Sequence, residues 1–251
     1  MNAAAEAAAL LDTMRSIGTP ARAEGEKAYL KSDLEFAGSS VPGMRSTTRA
    51  WLRTHPDLTH DELFAVADAL WAHPVHECRL AAVELLAARP QLVTLADVPW
   101  IYTTLRDCRT WALVDPLAGW VTAELAWRDP DGLLPHLDRW VRDPDFWVRR
   151  SAVLALRTLL RNDQQLDRFF GYATLLLPEK EFFIRKVIGW VLREVASRHP
   201  DQVDAWLRDH MAAMNLVTLR EPLRRFPVAQ AAELRARYDA SRPGARRNSE
   251  G

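Results

Sequence analysis

The chain has 251 residues, of which 48% are hydrophobic and 26% are charged, an ordinary balance for a folded globular protein. The 33 lysines and arginines equal the 33 aspartates and glutamates, so the formal net charge is zero. This balance excludes a bulk polycation, so any nucleic-acid surface must come from the arrangement of the charges.

The beginning of the chain, its apolar stretches and its cysteines predict a cytoplasmic protein. Residues 2–11 are rich in alanine and carry Glu6, without the basic and long apolar regions of a signal peptide. The longest apolar stretches, such as 187–192, are far too short to span a bilayer. Cys78 and Cys108 belong to no Cys/His cluster, which predicts a reducing compartment and no metal site. We expect a monomer without a cofactor.

Almost every segment has the period of an amphipathic helix, and no window alternates as a strand does. Prolines mark the joints between segments, and Thr59 with Glu62 forms a capping-box pattern. The predicted helices are 2–16, 20–31, 43–54, 58–72, 75–88, 95–106, 109–127, 130–141, 144–161, 163–176, 180–198, 201–214 and 226–240. The connections are short, so neighbouring helices should pack antiparallel. Residues 241–251 have no apolar period and are predicted to be a disordered basic tail.

The second helices of four predicted hairpins can be aligned with one another. In each of them a basic residue stands three positions before a small or apolar residue. The aligned segments begin at Arg79, Arg109, Arg149 and Arg185. Their spacings of 30, 40 and 36 residues are typical of two-helix repeats of the HEAT class. In such repeats the second helices line one concave surface. The sequence therefore predicts an all-α fold, a right-handed α-solenoid of HEAT-like hairpins that forms one domain over residues 1–240.

Trp111 and Asp115 fall at positions i and i+4 of the predicted helix 109–127, so they share one face. A carboxylate beside an indole is unusual on an interior face, because burying an unpaired charge is costly. Two interpretations stay open. The pair is functional, or Asp115 is the N-cap of a helix that restarts at Pro116, since proline is favoured at the first helical position.

The predicted helix 180–198 carries Lys186, Trp190 and Arg193 along one stripe, opposite an apolar stripe. An aromatic residue between cations suits a surface that packs on sugars or bases while it neutralises phosphates. Alternatively, Trp190 lies at the edge of the core between solvated cations.

One repeat earlier, Arg149 and Arg150 form a basic pair, and Arg150 aligns with Lys186 in the repeat frame. Both cations should therefore point to the same side of the solenoid. Arginine can hold a phosphate through two hydrogen bonds. Local ion pairing of the aligned basic residues is the alternative interpretation.

Several segments together resemble the AlkD-type DNA alkylation repair proteins. The segments that carry the resemblance are 27–31 with 41–45, 111–115, 146–152 and 181–194. The last segment, EFFIRKVIGWVLRE, is similar to the family pattern FFI.KAIGW.LRE almost residue for residue and is the most specific. The resemblance covers about residues 10–225. Ala112, where the family often has a second tryptophan, and Pro116 depart from the pattern.

The resemblance implies a HEAT-like solenoid whose concave, basic face holds duplex DNA that contains alkylated purines. It implies a glycosylase that excises cationic lesions such as 3-methyladenine and 7-methylguanine without deep base flipping. The implied roles are Trp111 and Trp190 at the sugar, Asp115 as the catalytic carboxylate, Tyr29 as a further aromatic contact, and Arg150 and Arg193 at phosphates. Arg149 and Lys186 complete the predicted DNA-binding set.

Three functions follow as hypotheses. The first is a monofunctional glycosylase, because a cationic base is already a good leaving group and no lysine nucleophile is required. The second is a non-catalytic binder of branched or distorted DNA, as in related subfamilies that lack the Trp and Asp residues. The third is a protein-interaction scaffold, which the neutral net charge permits.

Overall fold

The computed structural model describes residues 1–241, so residues 242–251 of the predicted tail lie outside the described part of the chain. Within residues 1–241 the protein is all-helical, which confirms the predicted fold class. The only extended pairing in this range is an isolated parallel bridge between Glu35 and Val75.

The helices follow the predicted order with small shifts of their ends. The α-helices are α1 Ala3–Ser16, α2 Pro20–Leu30, α3 Val41–Thr54, α4 His60–Ala72, α5 His76–Ala88, α6 Val98–Asp107, α7 Trp111–Pro116, α8 Ala123–Arg128, α9 Pro130–Trp140, α10 Phe146–Ala155, α11 Arg157–Arg161, α12 Leu166–Leu176, α13 Phe182–Ala196, α14 Pro200–Asp209, α15 Leu216–Arg220 and α16 Val228–Ala240. Short 3-10 turns cover Pro90–Leu92, Leu95–Asp97 and Pro222–Arg225. The predicted helix 144–161 is divided between α10 and α11, and 201–214 ends early at Asp209.

Polar side chains cap many of the helix starts, as the sequence patterns indicate. The predicted capping box at Thr59 is confirmed, because the backbone N–H of Glu62 donates to Thr59 Oγ1 at 3.3 Å while Glu62 Oε2 accepts from the Thr59 N–H at 3.2 Å. These bonds satisfy two of the N–H groups that a helix start otherwise leaves without a partner.

The helices group into two compact units, Met1–Leu133 and the chain from Leu134 onwards. In the first unit α5 packs against α1, α3, α4 and α7, and in the second α13 packs against α10, α14 and α15. Two pairs of aligned second helices, α5 with α7 and α10 with α13, are therefore neighbours, as the repeat alignment predicts. The solenoid and the single domain over 1–240 stay predictions.

Pro116 lies inside a helix and does not start one. Helix α7 continues through Pro116 into a π-helical segment, Leu117–Thr122, and then into α8. Proline lacks an N–H and its ring crowds the preceding turn, and the wider π turn accommodates such a break in the regular bonding. The N-cap of α7 is Thr110, whose side chain accepts from the Ala112 N–H. The interpretation of Asp115 as an N-cap is therefore wrong.

The segment between α2 and α3 is fastened to the start of α5. Glu77 is buried, and its two carboxylate oxygens accept from the N–H groups of Ala37 at 2.9 Å and Gly38 at 2.7 Å. Gly38 has a φ of +75°, and a Cβ there would lie 2.2 Å from the Thr19 carbonyl oxygen. Only glycine fits this position without displacing the backbone of its neighbour.

The buried His76 makes the stability of the protein sensitive to acid. Its ring stacks on Phe36 at 4.9 Å, and burial, with the nearby charge of Arg79, lowers its pKa from 6.5 to about 4. Between pH 6.5 and about pH 4, His76 binds a proton in the unfolded chain but not in the folded protein. The free energy of unfolding therefore falls as the pH falls through this range.

We expect His76→Phe to remove this pH dependence. From pH 7 to pH 5 the wild type should lose roughly 2 kcal/mol more stability than the variant, because the variant lacks the depressed pKa of His76. Urea unfolding of both proteins at the two pH values measures the difference. Equal losses would show that His76 is not the source.

Candidate active site

The first unit places Tyr29, Trp111 and Asp115 close to one another. Trp111 is the first residue of α7, and Asp115 follows one turn later on the same helix face. Tyr29, near the end of α2, is 74% exposed and meets the Trp111 ring edge-on, with 6.3 Å between the centroids. The Asp115 residue is half-exposed. This unit therefore offers two aromatic rings and a carboxylate in one region.

The turn that leads into α7 is fixed by a charged network. Arg79 Nη1 lies 3.0 Å from Asp107 Oδ2 and also donates to the Asp107 carbonyl at 3.1 Å. The indole of Trp71 donates to the same carboxylate at 3.0 Å, and the Arg79 guanidinium lies 5.0 Å from the Trp71 ring. Arg109, two residues before Trp111, has a φ of +52°, a conformation that a non-glycine residue adopts only where its surroundings impose it. Local pairing is thus the structural role of the aligned Arg79.

In the second unit, Arg157 orients Trp190. Its guanidinium lies 4.4 Å from the centroid of the Trp190 ring. Two nitrogens of the same guanidinium pair with Glu194, at 2.9 Å and 2.7 Å. The cation covers one face of the indole, and the carboxylate holds the cation in place. Sequence reasoning missed Arg157, because its partners are about one repeat away along the chain.

Lys186 and Arg193 share one buried carboxylate, Glu221. Lys186 Nζ pairs with one oxygen, Arg193 Nη1 lies 2.7 Å from the other, and Arg224 lies 3.5 Å from that second oxygen. Burial raises the pKa of Glu221, but the three cations, Lys186 foremost, outweigh burial and hold that pKa below its ordinary value. The carboxylate is therefore ionised, and three cations around one anion leave a net positive charge.

Gly189 allows this cluster to form. A Cβ at position 189 would lie 2.6 Å from the backbone oxygen of Thr218 and 3.2 Å from the Glu221 Cβ. Only a glycine in α13 lets the chain around Thr218 approach so closely, and that approach brings Glu221 to Lys186 and Arg193. This contact gives a physical reason for the glycine before Trp190 in the segment 181–194.

Arg149 and Arg150 are both engaged in the packing of the second unit. Arg150 is 3% exposed and donates to the Phe183 carbonyl at 2.6 Å. Arg149 lies 2.8 Å from Glu179 and donates to the Pro144 carbonyl at 2.8 Å. The ion pair with Glu179 favours the local-pairing interpretation for Arg149, and contact of either residue with DNA stays a prediction.

Within residues 1–241, no helix is long and apolar enough to cross a membrane. In the same range, no three His, Cys, Asp or Glu side chains form a group that could hold a metal ion. Burial raises the pKa of the Cys78 thiol to about 12, so this thiol stays protonated and unreactive near neutral pH.

Comparisons with known proteins give one family match and several similar folds. The sequence model of the DNA alkylation repair enzymes matches residues 10–226. A search of curated proteins gives no match. A solved structure described as a predicted DNA alkylation repair enzyme from Enterococcus faecalis is similar, with a TM-score of 0.74, 22% identity, and coverage of 82% of this chain and 94% of that one.

A second similar structure is AlkD2 from Streptococcus mutans, with a TM-score of 0.56, 16% identity, and coverage of 86% of this chain and 97% of that one. At these identities the solved structures show a shared fold. The family match itself spans most of the chain and includes every candidate site residue named above. The chain belongs to the AlkD-type DNA alkylation repair enzyme family.

Proposed function

We propose that this protein is a monofunctional DNA glycosylase that removes cationic N3- or N7-alkylated purines from duplex DNA. The observation that carries the proposal is the presence of the Trp111 indole and the Asp115 carboxylate on one face of α7, beside the exposed ring of Tyr29. This face carries the negative charge that a cationic sugar requires, and Trp111 and Asp115 are both partly exposed.

The chemistry needs few protein groups. An alkylated purine already carries a positive charge, so the bond between the sugar C1′ and the purine nitrogen breaks with its electron pair going to the base. The base leaves neutral, and the sugar becomes an oxocarbenium-like cation. Asp115 stabilises that cation by its charge and orients a water molecule, as carboxylates do in glycoside hydrolysis. The water adds to C1′ and gives up its proton, which leaves an abasic site.

The aromatic residues act on the same charge. The face of an indole attracts a cation through its ring quadrupole, so Trp111 favours the charged sugar over the neutral one. Trp190 is proposed to supply a second indole contact to the DNA, oriented by Arg157. Tyr29 adds a further contact that its exposure makes available.

Lys186 and Arg193 are proposed to hold DNA phosphates. The shared pairing with Glu221 fixes both side chains before DNA arrives, which lowers the entropy that binding must remove. The proposed mechanism forms no imine between a lysine and the sugar. A glycosylase of this kind therefore leaves the DNA strand intact, and this is what makes the proposed enzyme monofunctional.

We expect Asp115→Asn to abolish most base release. The substitution removes the negative charge with almost no change of shape, so the single-turnover rate should fall by about 100-fold or more, while affinity for DNA changes little. The assay is release of 7-methylguanine from alkylated duplex by wild type and variant.

Asp131→Asn is the matched control, because Asp131 is an exposed aspartate of the same unit on α9. It should release base at the wild-type rate. Absence of release by the wild-type protein would reject the glycosylase, and tight binding to branched or distorted DNA in that case would favour the non-catalytic binder.

We expect Arg193→Ala to weaken binding to alkylated and intact duplex equally, because a phosphate contact carries no information about the base. The slope of log K against log salt should fall by about 0.9 for one lost contact. Arg235→Ala, which removes a surface arginine paired with Asp239 on α16, is the control. A loss confined to alkylated DNA would contradict the phosphate role.

A further inference from the structure

The first unit contains an open cleft that shares no lining residue with the proposed catalytic face. Its volume is about 360 Å³. Its lining side chains include Arg45 and Arg49 from α3, Glu84, Ala87 and Ala88 from α5, and Trp120 from the π-helical segment. We call this region the Trp120 cleft.

The indole in the cleft is held by an arginine and a glutamate. The guanidinium of Arg45 lies 5.0 Å from the centroid of the Trp120 ring, and its Nε lies 2.6 Å from Glu84 Oε1. The indole is nevertheless 40% exposed. The side chain of Trp120 is therefore oriented by the protein and still open to a partner.

The same three residue types occur together in the second unit. There, Arg157 lies over Trp190 and pairs with Glu194. The protein thus builds an arginine–glutamate pair on a tryptophan ring once in each unit. Since Trp190 is one of the aromatic residues proposed to contact DNA, its counterpart in the first unit is a candidate for the same kind of contact.

The charge in the cleft favours an anion. Glu84 offsets Arg45, whereas Arg49 is exposed and forms no ion pair with any residue in the range 1–241. One positive charge is therefore left over. Ala87 and Ala88 line the same cleft with small side chains.

The position of Trp120 depends on the break at Pro116. A π-helical turn holds more residues than an α-helical turn, so Trp120 points in a different direction from the one that an uninterrupted helix would give it. That direction is toward Arg45 of α3, as the contact between the two side chains shows.

We propose that the Trp120 cleft binds the sugar–phosphate backbone of duplex DNA. Trp120 packs against a deoxyribose, and Arg49 binds the adjacent phosphate. An exposed arginine binds a phosphate whatever the base, and an indole beside it offers an apolar face to the neighbouring sugar. The inference rests on the proposed function only in taking DNA as the partner, and it does not depend on base release.

The test compares Trp120→Ala and Arg49→Ala with matched controls. Trp127→Ala removes an indole of the same unit with 39% exposure, and Arg15→Ala removes an exposed arginine of α1 outside the cleft. Fluorescence anisotropy with an unmodified duplex at several salt concentrations gives the affinities. Thermal melting followed by circular dichroism checks that each variant is folded.

We expect each cleft variant to bind about tenfold more weakly than its control. Arg49→Ala should also lower the salt slope by about 0.9, and Trp120→Ala should leave the slope unchanged because it removes no charge. If Trp120→Ala melts early, Arg49→Ala still decides the question, since Arg49 is exposed and makes no ion pair in the described residues.

Affinities equal to those of the controls, or no DNA binding by the wild type, would overturn the cleft proposal even if the protein releases 7-methylguanine. Tighter binding of polyglutamate than of the duplex, lost in both cleft variants, would also overturn it and assign the cleft to acidic polypeptides. Weaker binding by both variants, in a protein that releases no base, would support the cleft and reject the glycosylase.

Discussion

Charged side chains that are largely removed from water must be paired, and this requirement determines where the aromatic rings of this protein point. An arginine or glutamate that is largely buried and has no partner would destabilise the fold by several kcal/mol. The pairs Arg79 with Asp107, Arg157 with Glu194 and Arg45 with Glu84 each join neighbouring parts of one unit, and each places a guanidinium over an indole. Once the pairs form, the indoles have little freedom.

The same requirement explains how a chain of zero net charge can offer positive surfaces. Many of its cations pair with carboxylates of the fold, as Arg149 pairs with Glu179. A local excess survives only where several cations share one anion, as at Glu221, or where a cation has no anion in the described structure, as at Arg49. Composition does not reveal either situation, because both depend on which side chains the fold brings together.

Local patterns predicted the helices, the capping box at Thr59 and the neighbouring second helices, because period and cap chemistry act over a few residues. The continuation of α7 through Pro116 could not be predicted, since the π turn that relieves the crowding depends on packing around it. The partners of Trp190 and Lys186 were missed for another reason. Arg157 and Glu221 are 33 and 35 positions away from them. The repeat alignment identifies equivalent positions of successive helices, but it does not show which side chains meet between one repeat and the next.

The contact at Gly189 limits how freely the parts of this protein can be exchanged. Repeat proteins are often rebuilt by moving whole hairpins between relatives, because each repeat meets only its neighbours. Here the space that a side chain at Gly189 of α13 would take is occupied by the backbone of Thr218, which lies about 29 residues further along the chain. A chimaera whose junction falls between these two segments would combine a glycine with a foreign backbone. The stretch from α13 to the turn after Glu221 therefore behaves as one inseparable module.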